Sequence, residues 1–147
     1  MHLIGESATE ALGAKVAKHC QPPLIIYLIG ELGTGKTTFA RGFIRSFGHT
    51  GIVKSPTFAL VETYHFEHIT LYHFDLYRLE DPSELEYLGL RDIAAEQDTI
   101  CLIEWPARGG LSVPQADLKI FLKHSDDYRD VECSAESPQG KLIIGQL

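Results

Sequence analysis

Apolar residues at Ala11, Leu12, Ala14, Val16 and Ala17 follow helical spacing and predict a short helix over Thr9 to His19. Ser7 and Thr9 are its candidate caps, and Pro22 and Pro23 end it. Leu24 to Ile29 is apolar at every position, the pattern of a strand buried on both faces of a parallel sheet, and it runs straight into Gly30. Helical spacing returns at Phe39, Ala40, Phe43, Ile44 and Phe47, predicting a helix over Thr37 to Phe47 with Gly48 as its stop.

Two β-rich runs follow, Phe58 to Phe66 and Ile69 to Phe74, close enough together to form a hairpin or an antiparallel pair. Pro82 to Gln97 reads as a helix interrupted at Gly89. Thr99 to Ile103 is a short apolar strand, and Ala116 to Lys123 alternates as a strand does. Tyr128 to Ala135 and Lys141 to Ile144 are expected to complete a β-rich tail. No repeat, low-complexity tract or linker divides the 147 residues, so one domain spanning 1–147 is expected.

The segment from Gly30 to Thr37, Gly-Glu-Leu-Gly-Thr-Gly-Lys-Thr, sits between a predicted buried strand and a predicted helix. That is the setting in which the G-x-x-x-x-G-K-[ST] pattern forms a phosphate-binding loop. Glycines let successive backbone N–H groups turn toward phosphate oxygens, and the positive end of the helix adds attraction for an anion. Lys36 is expected to reach the β and γ phosphates of ATP or a close relative. The Thr37 hydroxyl is expected to hold Mg2+. Glu31, Leu32, Gly33, Thr34, Gly35 and Thr38 complete the predicted nucleotide contact. The implied fold is α/β, P-loop NTPase-like and three-layered, with a mixed parallel and antiparallel central sheet.

Such a site needs an acid at the end of another strand. Glu104 follows the apolar run Ile100 to Ile103, and Asp75 follows Leu71 to Phe74. Glu104 is favoured as the magnesium-side carboxylate and Asp75 as the residue that positions water, with the reverse assignment open. The alternative account of Asp75 is that it only caps a helix or turn, where a local ion pair with Arg78 could form.

A formal charge of −7 excludes a surface that grips nucleic acid by counterion release alone, so any RNA role is expected to run through partners. No apolar run approaches membrane-spanning length, and a cytoplasmic protein without membrane contact is expected. Cys20, Cys101 and Cys133 lack zinc or redox spacing and read as reduced, mostly buried thiols. His65, His68 and His73 lack a metal-ligand frame and read as surface or strand-packing residues. Glu80, Asp81, Glu84 and Glu86 read as a solvated helix start that Ser83 could cap. Trp105 suits either a packed strand end or an anchor for a partner.

Five segments together resemble the bacterial TsaE (YjeE) family across nearly the whole chain. They are the loop Gly30 to Gly42, Ser55-Pro56-Thr57-Phe58, His73 to Leu79, Leu88-Gly89-Leu90, and Ile103-Glu104-Trp105-Pro106. The resemblance implies an accessory Mg2+-dependent ATPase that acts with TsaD and TsaB in the threonylcarbamoyl modification of the adenosine beside tRNA anticodons. It also implies phosphate binding by Gly33 to Thr37, magnesium at Thr37 and Glu104, and a nucleotide-sensitive switch loop at Ser55 to Thr57. Thr9 and Arg129 match positions expected to touch the nucleotide. Two other classes use the same cradle: a small-molecule kinase, and a nucleotide-sensing module with little turnover. Slow hydrolysis by the isolated protein is expected because the charge-stabilising arginine would come in trans, with Arg41, Arg78, Arg108 and Arg129 as the alternative sources in cis.

Overall fold

The structure is a computed structural model describing residues 1–147. Seven strands form one sheet: β1 (His2–Leu3), β2 (Leu24–Ile29), β3 (Val61–His65), β4 (Thr70–Asp75), β5 (Thr99–Glu104), β6 (Leu118–His124) and β7 (Arg129–Ala135). Their order is β1-β7-β6-β2-β5-β4-β3. The inner strands β6, β2, β5 and β4 run parallel, whereas β3, β7 and β1 join antiparallel at the edges. The mixed α/β sheet expected from the sequence is therefore present.

Helices cover both faces. Strand β2 sends Leu24, Ile26 and Leu28 into a core of 20 buried residues built with α1 (Gly5–Ala17) and α2 (Lys36–Ser46). Phe39 and Phe43 are fully buried there, each worth about 1.5–3 kcal/mol of apolar burial. The opposite face is covered by the short helices α3 (Ser83–Leu88) and α4 (Leu90–Ala95) and by a 3-10 segment, Pro106–Ser112. Its core holds eight buried residues, among them Phe74, Cys101 and Ile103. This cover is thinner than the all-apolar β2 sequence suggests: Ile25, Tyr27 and Ile29 are only half-buried, and the Tyr27 hydroxyl reaches the Pro114 carbonyl.

Helices α1 and α2 approach backbone to backbone. A Cβ on Gly42 would stand 2.0 Å from the Glu10 carbonyl oxygen, and one on Gly13 would stand 2.2 Å from that of Phe39. The absence of side chains at these two positions sets the helix spacing, and with it the position of the phosphate-loop helix against the amino-terminal helix.

Four expectations are corrected. Helix α1 starts at Gly5, four residues before the predicted start, so Ser7 and Thr9 lie inside it and cap nothing. The first β-run begins at Val61, since the backbone at Leu60 turns to φ 67° and cannot continue a strand toward Phe58. Ser83 does not cap α3; its own N–H donates to Asp81 Oδ1. Lys141 to Ile144 is not β but part of α5 (Pro138–Gly145), which opens with Ser137 Oγ accepting from the Gly140 N–H and Pro138 in the first turn. Gly89 does separate α3 from α4, with a left-handed φ of 71°.

Candidate functional site

The carboxyl ends of β2, β4 and β5 open onto a cleft of about 540 Å³. Its floor is the loop between β2 and α2. Gly33 and Gly35 hold φ angles of 78° and 102°, a region that favours glycine, and Gly35 is the N-cap of α2. The loop thereby places the start of an 11-residue helix, with its unpaired N–H groups, against the cleft.

Lys36 is the first residue of that helix and only 5% exposed. Its Nζ donates to the carbonyls of Gly30 (2.6 Å) and Glu31 (2.8 Å) and lies 4.6 Å from the Trp105 ring centroid. Burial holds its pKa below the usual lysine value, against the opposing pull of Glu104, Asp75 and Glu31. Of its two expected roles Trp105 takes that of the packed strand end: it is half-buried against the second core, packed on Tyr77 at 5.0 Å, and it also walls the lysine. Its backbone lies at φ 57°, which turns the chain sharply after Glu104.

Across the cleft, Asp75 and Glu104 are register partners on adjacent parallel strands, 4% and 2% exposed. Asp75 Oδ2 accepts from Ser55 Oγ (3.0 Å) and Thr57 Oγ1 (2.9 Å), and Oδ1 accepts from the Tyr77 N–H (3.0 Å). The two hydroxyls are 2.7 Å apart, so two hydrogens serve three close contacts. The ion pair with Arg78 does not form; Arg78 instead stacks 4.5 Å from the Phe58 ring. Glu104 Oε2 receives Thr37 Oγ1 at 3.5 Å and His73 Nε2 at 2.6 Å.

Two buried carboxylates side by side, with no lysine or arginine in ion-pair range, form an environment that favours a cation. With the Thr37 hydroxyl they offer only hard oxygen donors. This set suits Mg2+ completed by phosphate oxygens and water.

Of the residues singled out from sequence, Leu32, Gly33, Gly35, Lys36, Thr37 and Thr38 line the cleft, and so do Asp75, Glu104 and Arg129. Glu31 and Thr34 do not; the loop turns the Thr34 hydroxyl onto the Glu31 carbonyl at 2.9 Å. Thr9 is fully buried behind Arg129, whose Nη1 donates to Thr9 Oγ1 at 3.3 Å while the guanidinium lies against Gly35. Among the candidate arginines, Arg41 is engaged with Glu10 at 2.9 Å, away from the cleft. Arg108 lies near the rings of Tyr77 and Trp105. Glu6 and Tyr77 also line the cleft without having been singled out as site residues; Glu6 falls in no motif, whereas Tyr77 lies within the His73 to Leu79 segment.

No helix is long and apolar enough to cross a membrane. The sequence model of the family described as "Threonylcarbamoyl adenosine biosynthesis protein TsaE" matches residues 3–131. The chain is 48% identical over 126 residues to the Haemophilus influenzae "tRNA threonylcarbamoyladenosine biosynthesis protein TsaE", covering 86% of this chain and 79% of that protein. It is 36% identical over 145 residues to the Bacillus subtilis protein of the same description, covering 98% and 90%. Among solved structures, that of Bacillus subtilis YdiB superposes with a TM-score of 0.84 at 30% identity, covering 99% of this chain and 90% of that one. The family model spans most of the chain, and sequence and fold match these relatives over most of their length, so the protein belongs to the TsaE family of threonylcarbamoyl adenosine biosynthesis proteins.

Proposed function

We propose that the cleft binds ATP with Mg2+ and hydrolyses it, and that this turnover serves the threonylcarbamoyl modification of the adenosine beside tRNA anticodons, with TsaD and TsaB as partners. The observation that carries the reading is the convergence of Lys36 and Thr37 with buried Asp75 and Glu104 across one cleft. In this reading the loop N–H groups and Lys36 bind the phosphates, and Lys36 leaves the Gly30 and Glu31 carbonyls to do so. Thr37 and Glu104 hold the magnesium, which neutralises charge on the phosphates when bound. Asp75 orients a water for attack on the γ phosphorus; the bond to the bridging oxygen breaks, and ADP and phosphate leave. Arg129, held from behind by Thr9, secures the nucleotide from the α1 side.

Slow turnover by the protein alone follows if a missing trans charge accounts for roughly 10³–10⁵ in rate, as in related P-loop enzymes. The test is titration of the protein with ATP and with GTP in the presence of Mg2+, reading Trp105 fluorescence and calorimetry, followed by turnover with and without the partners. Binding that Lys36→Ala abolishes, with turnover raised by the partners, is the expected result. Failure to bind any nucleoside triphosphate, or turnover of several per second by the isolated protein, contradicts the proposal.

A further inference from the structure

His73 lies two residues before Asp75 on β4, so both side chains leave the same face of the sheet. Opposite it on β5 is Leu102, and Glu104 stands one step further along that face, diagonally across the pair. A diagonal neighbour is out of reach of small side chains but within reach of an imidazole and a glutamate. The two meet at 2.6 Å, with side-chain exposures of 0% and 3%.

A carboxylate only accepts, so the hydrogen of this contact resides on Nε2. Nδ1 then has no partner, although it is fully buried. The other positions on this face of β4 and β5 are Leu71, Ile100 and Leu102, all apolar and buried. An apolar residue at 73 would pack among them without orphaning a polar atom. The contact with Glu104 is therefore what the imidazole supplies here. His73 does not line the cleft and belongs to no group of three potential ligands that could hold a metal, so it acts through Glu104 from behind. Both chain contacts to the glutamate fall on one oxygen, Oε2, and Oε1 accepts no hydrogen bond from the chain.

Resting on the Mg2+–ATP reading above, we propose that His73 is a positioning residue for magnesium: it fixes the Glu104 carboxylate through Oε2 and leaves Oε1 free for the metal and its waters. Groups that orient a metal ligand from its far side typically govern metal affinity by 10–100-fold.

The experiment compares His73→Gln with His73→Asn. Both are neutral amides; glutamine can place its N–H₂ near the position of Nε2, whereas asparagine is one methylene short. Each variant is titrated with Mg2+ at fixed concentration of a non-hydrolysable ATP analogue by calorimetry, with thermal unfolding recorded alongside. The expected result is a Mg2+ midpoint raised about 10–100-fold in His73→Asn and restored toward wild type in His73→Gln, with affinity for the metal-free analogue equal in both. A merely structural histidine lowers the unfolding temperature without separating the two midpoints. Equal Mg2+ midpoints in the two variants, or a wild-type midpoint in His73→Asn, overturn the proposal while leaving the site reading intact. Wild-type protein that binds the analogue with no response to Mg2+ overturns the site reading itself.

Discussion

Asp75 and Glu104 end adjacent parallel strands as direct register partners, yet their hydrogen bonds lead in different directions. Asp75 binds the loop through Ser55 and Thr57. Glu104 binds inward to His73 and toward Thr37 at the start of α2. One acid of the pair thus anchors a segment without regular structure, and the other is seated in the sheet.

The first prediction concerns that anchor. Asp75→Ala removes the acceptor of both hydroxyls and of the Tyr77 N–H. Hydrogen bonds to charged groups contribute about 1.5–3 kcal/mol each, so loss of even one speeds local opening by roughly 10–100-fold. Tryptic cleavage after Lys54, in the anchored segment, should accelerate by about that factor while cleavage within α2 remains unchanged. Unaltered cleavage at Lys54 would show that the order of the segment has another source.

A second prediction separates helix propensity from helix packing. Alanine in place of a mid-helix glycine gains about 1 kcal/mol in isolation. At Gly42 the new Cβ would sit 2.0 Å from a backbone oxygen of α1, which cannot yield as a side-chain tip can. Overpacking costs of about 1–3 kcal/mol outweigh the gain, so Gly42→Ala should lower the melting temperature by several degrees. A melting temperature equal to or above wild type would show that the helices separate without penalty.

Lys36 gives a pH signature. Its pKa is lowered by burial, so between that value and the usual 10.5 the unfolded chain binds a proton that the folded chain has lost. Raising the pH through this window favours the folded state. Wild type should therefore gain stability relative to Lys36→Met as the pH climbs toward 10.5, as measured by urea unfolding. A difference that stays flat across the window contradicts the burial argument.

Thiol reactivity provides the fourth. Burial pushes Cys20 and Cys101 up to about 12, leaving almost no thiolate at neutral pH. Cys133 is half-buried, and burial raises its pKa as well, partly offset by the chain's amino group. Iodoacetamide should label Cys133 first in the native protein, and Cys20 and Cys101 only after unfolding, as read by mass spectrometry. Early labelling of either buried thiol would point to local opening of the core.

What the sequence revealed depended on how long its patterns ran. Strands β2 and β5, and helix α2, were legible because an apolar run or a helical stripe spans the whole element. The run Leu142 to Ile144 is too short to tell strand from helix, and the decisive signal was the Ser137-Pro138 pair before it. The phosphate loop and both acids were legible from motif and strand end. The anchoring of Asp75 by Ser55 and Thr57 was not, because it joins segments about twenty residues apart whose meeting depends on sheet order. The His73 contact was hidden for the same reason: it exists only once β4 lies beside β5 in one register.

The walls of the cleft differ in stiffness. Helices α1 and α2 are locked by their glycine contact, and β4 and β5 lie inside the sheet. The segment 51–60 crosses the opening without helix or strand and carries Phe58 at 85% exposure. A change of ligand in such a chamber is expressed where the enclosure yields, so the triphosphate and diphosphate forms should differ outwardly in the posture of one aromatic ring.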